Sequence, residues 1–281
     1  MSLGRLASLR ERMQSQADKL LALKNRFSQM PSCVIAFSGG VDSTLLLASA
    51  HDALGKNALA LTIRASVFPK SETDGAIRFC QERAIRHEII DFDPLELSEF
   101  CANPPNRCYY CKKAIFARIC NFAQKNSIPF VAEGSNLDDD KDFRPGRKAL
   151  EEFGVISPLR EAQFRKSDVR GSLKLLGIDS WRKPSAACLA SRIPYCERIT
   201  REKLYRIGEA ESYIRQFIKA EAPLRVRLHN NDIARIEVNE ESYPAIISRR
   251  IEISARLKAL GLRYISLDLE EFKSGRMNDV L

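Results

Sequence analysis

One hexapeptide constrains the fold of this chain more than any other feature. Ser38-Gly39-Gly40-Val41-Asp42-Ser43 follows the apolar run Cys33-Val34-Ile35-Ala36-Phe37 and opens a helical pattern that continues from Ser43 to Leu54. A buried strand, two glycines and a helix in that order predict a tight strand–turn–helix unit. The glycines let the backbone approach a phosphate group and adopt turns that a side chain would block. The start of the helix offers unpaired N–H groups and its positive dipole end to an anion. Ser38 and Ser43 add hydroxyl groups, and Asp42 is a candidate for holding the Mg²⁺ that accompanies ATP. The chain contains neither Gly-x-x-x-x-Gly-Lys-Ser/Thr nor Gly-x-Gly-x-x-Gly. It therefore lacks both the lysine-bearing phosphate loop and the dinucleotide fingerprint.

The same alternation continues downstream. Strand-like Leu59–Arg64, Glu88–Phe92 and Phe130–Glu133 are separated by helical Glu72–Arg86 and Cys108–Lys125. A shorter strand is expected at Val155–Pro158, and a helix at Ser167–Leu176 with Ser167 as its N-cap. Short apolar strands alternating with amphipathic helices predict an α/β fold, a parallel sheet covered by helices on both faces. Residues 1–30 read as an N-terminal helix and 31–178 as the nucleotide domain. Residues 179–199 lose all periodicity but hold Trp181, Pro184, Cys188, Pro194 and Cys196, as an ordered functional loop would. From 200 to 281 a helix (Thr200–Lys219), two strands around His229–Asp232, a helix (Ser242–Leu260) and a last strand predict a small α+β domain.

Composition narrows the class without naming a reaction. With 281 residues, 44% of them hydrophobic and 29% charged, the chain can bury a sizeable core. No apolar run reaches the length of a membrane span, and no membrane partner is expected. A net charge of +9 points to an anionic partner. The eight cysteines are unevenly spaced, which fits reduced cytoplasmic thiols, metal or cluster ligands better than a disulfide framework.

Two cysteine settings stand out. Arg107-Cys108-Tyr109-Tyr110-Cys111-Lys112 places a C-x-x-C at a helix start among cations, which favours thiolates. Cys188 lies in the irregular loop Lys183–Arg192, also beside cations. Three readings remain open: a four-cysteine zinc site with Cys196, three corners of a 4Fe-4S cluster on Cys108, Cys111 and Cys188, or Cys188 acting alone. Cys33, Cys80 and Cys120 fall at core positions.

SGGVDS resembles the pyrophosphate-binding loop of the ATP pyrophosphatase (PP-loop) superfamily, which cleaves ATP between its α and β phosphates and adenylylates the substrate. Further strings resemble the LarE family of nickel-pincer nucleotide biosynthesis. They are Asn103–Lys113, Glu133-Gly134-Ser135-Asn136-Leu137-Asp138-Asp139, Arg144-Pro145-Gly146, Lys183–Tyr195, Leu224-Arg225-Val226-Arg227 and Leu267-Asp268-Leu269-Glu270. Together they run from about Cys33 to Met277. The resemblance implies an ATP-dependent sulfurtransferase that adenylylates the carboxylates of pyridinium-3,5-biscarboxylic acid mononucleotide and converts them to thiocarboxylates. It implies ATP and Mg²⁺, with phosphate contacts from Ser38, Gly39, Gly40, Asp42 and Ser43.

Family members with one cysteine at the position of Cys188 sacrifice its sulfur and keep dehydroalanine. The presence here of Cys108 and Cys111 resembles the cluster-bearing type, in which a 4Fe-4S cluster on three cysteines carries the transferable sulfide. Arg225 and Arg227 are implied as substrate contacts, together with Arg192, Glu133 and Glu211. Asp138–Asp140 could serve a metal or merely form an acidic turn. The resemblance also implies a homo-oligomer, a hexamer among the forms. A tRNA 2-thiolation enzyme, an ammonia-using synthetase and a zinc-bound nucleotide-binding protein are the rivals. Nucleic acid is not the expected partner, because no appended RNA-binding module is recognisable.

Overall fold

The computed structural model describes residues 3–141, 145–184, 187–273 and 275–276, and side chains within 14–139, 145–184, 187–273 and 275–276. Of the expectations above, the side chains of residues 1–13 and of Asp140, together with Arg144, Ser185, Ala186 and Met277, lie outside the described residues. Two compact units make up the chain. The first is Met1–Arg64, Lys70–Phe92 and Lys112–Lys183; the second is Ala65–Pro69, Asp93–Cys111 and Pro184–Leu281.

The first unit contains α1 (Leu3–Ser28), β1 (Cys33–Ala36), α2 (Val41–Leu54), β2 (Ala58–Arg64), α3 (Lys70–Glu82), β3 (Arg86–Asp91) and β4 (Phe130–Ala132). All pairings in the sheet are parallel, in the order β3-β2-β1-β4. Side chains alternate across a strand, so each strand feeds two layers. Cys33, Ile35, Ala58, Ala60 and Ala132 face a cluster with Leu23, Phe27, Leu45, Leu46 and Ala76 from α1, α2 and α3. Val34, Leu59, Leu61 and Val131 face Phe116, Ile119 and Ala123 of the helix Arg107–Lys125. This is the parallel sheet with helices on both faces that the alternation predicts.

Two local expectations are corrected. Val155–Pro158 forms only a one-residue parallel bridge, Ala132 to Ile156, because Pro158 begins a short helix and has no N–H for a ladder. Ser167 is not an N-cap: the helix spans Lys166–Leu175, with the Asp168 carboxylate accepting from Arg165 N at 2.9 Å and Asp138 from Lys166 N at 2.8 Å. Two carboxylates thus satisfy the first N–H groups in place of a hydroxyl.

The second unit holds β5 (Leu224–His229), β6 (Ile233–Val238) and β7 (Tyr264–Leu267). β6 pairs antiparallel with β5 and parallel with β7, which makes a small mixed sheet. The helix Arg201–Arg215 is capped by Thr200 and ends earlier than expected, where the Arg215 guanidinium turns to the carbonyls of Lys219, Ala220 and Ala222. The expected helix Ser242–Leu260 is two, Tyr243–Ser248 and Arg250–Ala259. Among the described residues, no helix is long and apolar enough to cross a membrane.

Candidate active site

In the first unit, β1 is the switch point of the sheet, with β2 on one side and β4 on the other. Crevices at such points bind ligands in open α/β sheets. The loop after β1 is shaped for close approach. Gly39 has φ +73°, and a Cβ there would sit 3.1 Å from the carbonyl oxygen of Glu72 in α3. Gly134, after β4, has equally little room: a Cβ would lie 3.0 Å from Ser43 N.

Gly40 is the N-cap of α2 and supplies no side-chain cap, so the first N–H groups of a 14-residue helix lack a covalently built partner. The hydroxyls of Ser38 and Ser43 lie 3.2 Å apart, and Ser43 Oγ and Thr44 Oγ1 both donate to the Gly40 carbonyl, at 3.1 and 2.8 Å. Uncapped N–H groups with two hydroxyls at a helix start make an anion site. The structure thus brings together all five of the loop residues expected from the sequence.

Asp42 is partnered: Asn136 Nδ2 donates to it at 3.0 Å, and Lys166 forms an ion pair with its other oxygen. Asp138 and Asp139 turn out to accept backbone N–H groups, Asp138 from the distant Lys166 and Asp139 from nearby Asn136. Glu133 accepts from Ser135 N, Ser135 Oγ and Ser157 Oγ at 3.0, 2.8 and 2.6 Å. Sequence reasoning gave no role at the loop to Lys166 or Lys183, yet Lys183 Nζ donates to the Gly39 carbonyl at 2.9 Å. Neither lysine is near the motif in sequence, and no local pattern reveals them.

In the second unit, Asn103 joins the segment before the C-x-x-C to the Cys188 loop. Its side-chain amide donates to the carbonyls of Ile193 and Pro194, at 3.3 and 2.7 Å, and its carbonyl accepts from Cys196 N. Arg107 stacks over Tyr195 at 4.5 Å. Cys111 and Cys188 pack, half-buried, against one apolar cluster, and Cys108 is exposed.

The Cys188 loop is fastened by two arginines. Arg192, 2% exposed, makes a two-point pair with Glu211 at 2.8 and 2.9 Å and donates to the carbonyls of Ala187 and Cys188. Arg227 pairs with the fully buried Glu237 and donates to the Ser191 carbonyl at 2.9 Å. Arg225 lies on the same face of β5, opposite Glu237. Burial, with the charges of Arg192, Arg227 and Arg215 against that of Glu211, lowers its pKa to about 10. Guanidinium groups suit anions such as carboxylate and phosphate.

Among the described residues, no three Cys, His, Asp or Glu side chains stand close enough to share a metal ion. Cys108, Cys111 and Cys188, three thiols in one unit, suit a 4Fe-4S cluster by donor type. Among the described residues, no four-ligand zinc set is assembled. Burial pushes Cys33 and Cys80 up to about 12 and also raises Cys101 and Cys120. Alkylation at about pH 8 is therefore expected to label exposed Cys108 and Cys196 first, and Cys33 and Cys80 only after unfolding. Peptide mapping by mass spectrometry checks this order.

A parallel sheet with an uncapped SGGVDS helix start at its switch point defines a PP-loop ATP pyrophosphatase. In agreement, the NAD synthase family model matches residues 16–122, which include the loop. Over 96% of its length the chain is 36% identical to 97% of the pyridinium-3,5-bisthiocarboxylic acid mononucleotide synthase of Lactiplantibacillus plantarum. The chain belongs to that family, LarE, and is an ATP-dependent enzyme. It is also 40% identical to an uncharacterized protein of Synechocystis sp., over 94% of this chain and 98% of that one. A Methanocaldococcus jannaschii protein, likewise uncharacterized, is 30% identical over 91% and 98%.

Proposed function

We propose that this enzyme inserts sulfur into the carboxylates of pyridinium-3,5-biscarboxylic acid mononucleotide. The observation that carries the reading is the near-full-length match to the Lactiplantibacillus plantarum synthase, which spans both the phosphate loop and the cysteine loop. A free carboxylate is a poor electrophile. Its oxygen attacks the α-phosphorus of MgATP, pyrophosphate leaves, and the acyl group is then carried on AMP. Ser38, Gly39, Gly40 and Ser43 hold the departing pyrophosphate through N–H and O–H donors. Asp42 would hold the Mg²⁺ that accompanies ATP, in place of its pairing with Lys166.

A thiolate attacks the acyl carbon and AMP leaves. If the sulfur is that of Cys188, loss of its Cα proton with cleavage of Cβ–Sγ leaves dehydroalanine and frees the thiocarboxylate. Cys108, Cys111 and Cys188 are the three thiols that would hold a 4Fe-4S cluster, which would supply transferable sulfide. Arg225, with Arg192 and Arg227 behind it, supplies positive charge for the anionic nucleotide, while Glu211 and Glu133 order their surroundings. The proposed assembly is a homo-oligomer, and sedimentation reads its size.

With MgATP and the biscarboxylate nucleotide, the protein is expected to form AMP, pyrophosphate and thiocarboxylate, followed by chromatography and mass spectrometry. AMP release with tRNA instead would move the chain to the tRNA-thiolating branch. Iron and acid-labile sulfide on protein purified without oxygen decide the sulfur source. Stoichiometric iron and sulfide, lost in Cys108→Ala, Cys111→Ala and Cys188→Ala, supports the cluster. Colourless protein that loses H₂S in mass after one turnover supports a sacrificial Cys188.

A further inference from the structure

We propose that Lys183 is a phosphate-binding residue of the ATP site, an ammonium brought to the loop from 144 positions downstream. The inference rests on the reading of SGGVDS as an ATP site and adds a residue to it. SGGVDS itself offers N–H groups and hydroxyls but no cation, and its one charge, Asp42, is negative. An ATP triphosphate is strongly anionic, and the phosphate loops that carry their own lysine use it as a point charge on the phosphates. Here the charge has to come from another part of the chain.

Lys183 Nζ lies 2.9 Å from the Gly39 carbonyl oxygen, against the residues that cradle the anion. On the other side it lies against Gly75 of α3, where a Cβ would be 3.4 Å from the ammonium, in ordinary contact. The backbone of Lys183 is held as well. Arg170 donates through Nη1 to the Trp181 carbonyl and through Nη2 to the Lys183 carbonyl, the latter at 2.8 Å. Arg170 sits one turn into the helix Lys166–Leu175, whose first residue pairs with Asp42. One helix therefore sets both cations at the loop.

An ammonium has three donors. Among the described residues, that of Lys183 makes one hydrogen bond, to Gly39. The other N–H groups remain for a ligand. Half-buried Glu72 of α3, its pKa raised by burial, is the carboxylate that feels the Lys183 charge. A side chain that served only to tie the segment 179–184 to the loop would not need its charge once Arg170 holds the backbone.

Isothermal titration of the full-length chain and of its Lys183→Met, Lys183→Gln and Lys183→Arg variants, with MgATP, pyrophosphate and AMP, tests this. Met and Gln are expected to weaken MgATP and pyrophosphate by about tenfold or more, the scale of a charged hydrogen bond. AMP is expected to change by less than about twofold, and Arg to recover part of the loss. Unchanged MgATP binding in Met or Gln would overturn the proposal. So would parallel losses for MgATP and AMP, which mark a structural tether. Wild-type protein that binds MgATP but forms no thiocarboxylate would sink the sulfur-insertion reading while leaving the Lys183 result to stand alone.

Discussion

Cys188→Ala is expected to abolish thiocarboxylate formation while leaving adenylylation in place. The variant should still release pyrophosphate and accumulate the acyl-adenylate of the biscarboxylate nucleotide, because every residue of the phosphate loop belongs to the other unit. The loss should be on the order of 10³ or more, since removing a covalent nucleophile costs up to about 10⁶. Single-turnover product analysis by mass spectrometry reads both steps in one reaction. If Cys108→Ala and Cys111→Ala show the same split, the three thiols act as a set. If they keep wild-type yield, Cys188 acts alone. Thiocarboxylate formed at wild-type yield by Cys188→Ala would remove this cysteine from the mechanism.

The second large effect concerns Arg192, which the resemblance implies as a substrate contact. Its guanidinium is buried and occupied by Glu211 and by the carbonyls of Ala187 and Cys188. Arg192→Met leaves the Glu211 carboxylate facing Val226 N alone among these partners and frees the carbonyls of the Cys188 loop. Breaking one side of a buried pair costs about 3–5 kcal/mol. Unfolding in guanidinium chloride should therefore show a much lower midpoint for the second unit. The double variant Arg192→Met/Glu211→Leu should regain part of the stability, since an apolar replacement of both partners avoids the unpaired charge. It should not regain sulfur transfer, because the carbonyls of Ala187 and Cys188 would still lack their donor. Full activity in the double variant would show that Arg192 does not position the loop.

The phosphate loop was legible because its chemistry is local. Backbone N–H groups, small residues and a helix start all lie within a few positions, so one string carries the anion site. The alternation that predicts the parallel sheet is local in the same sense. Arg225 and Arg227 could be placed on one face by strand period alone. The partners of Arg227 could not, since Glu237 lies ten positions on, across an antiparallel pair whose register had to form first. Ser167 was misread as a cap because the helix begins one residue before it, at Lys166, where the carboxylates of Asp168 and the distant Asp138 accept from Arg165 N and Lys166 N.

By itself, the sequence determined the nucleotide-binding architecture and, through resemblance along nearly the whole chain, the family. Local propensity and short-range pattern suffice for these. Only the tertiary structure decided that Asp42 is paired with Lys166, that Lys183 reaches the Gly39 carbonyl, and that Arg192 and Arg227 hold the carbonyls around Cys188. Each of those contacts closes a long stretch of chain, and whether a charge is spent inside or offered to a ligand depends on partners that only the packed fold brings within reach.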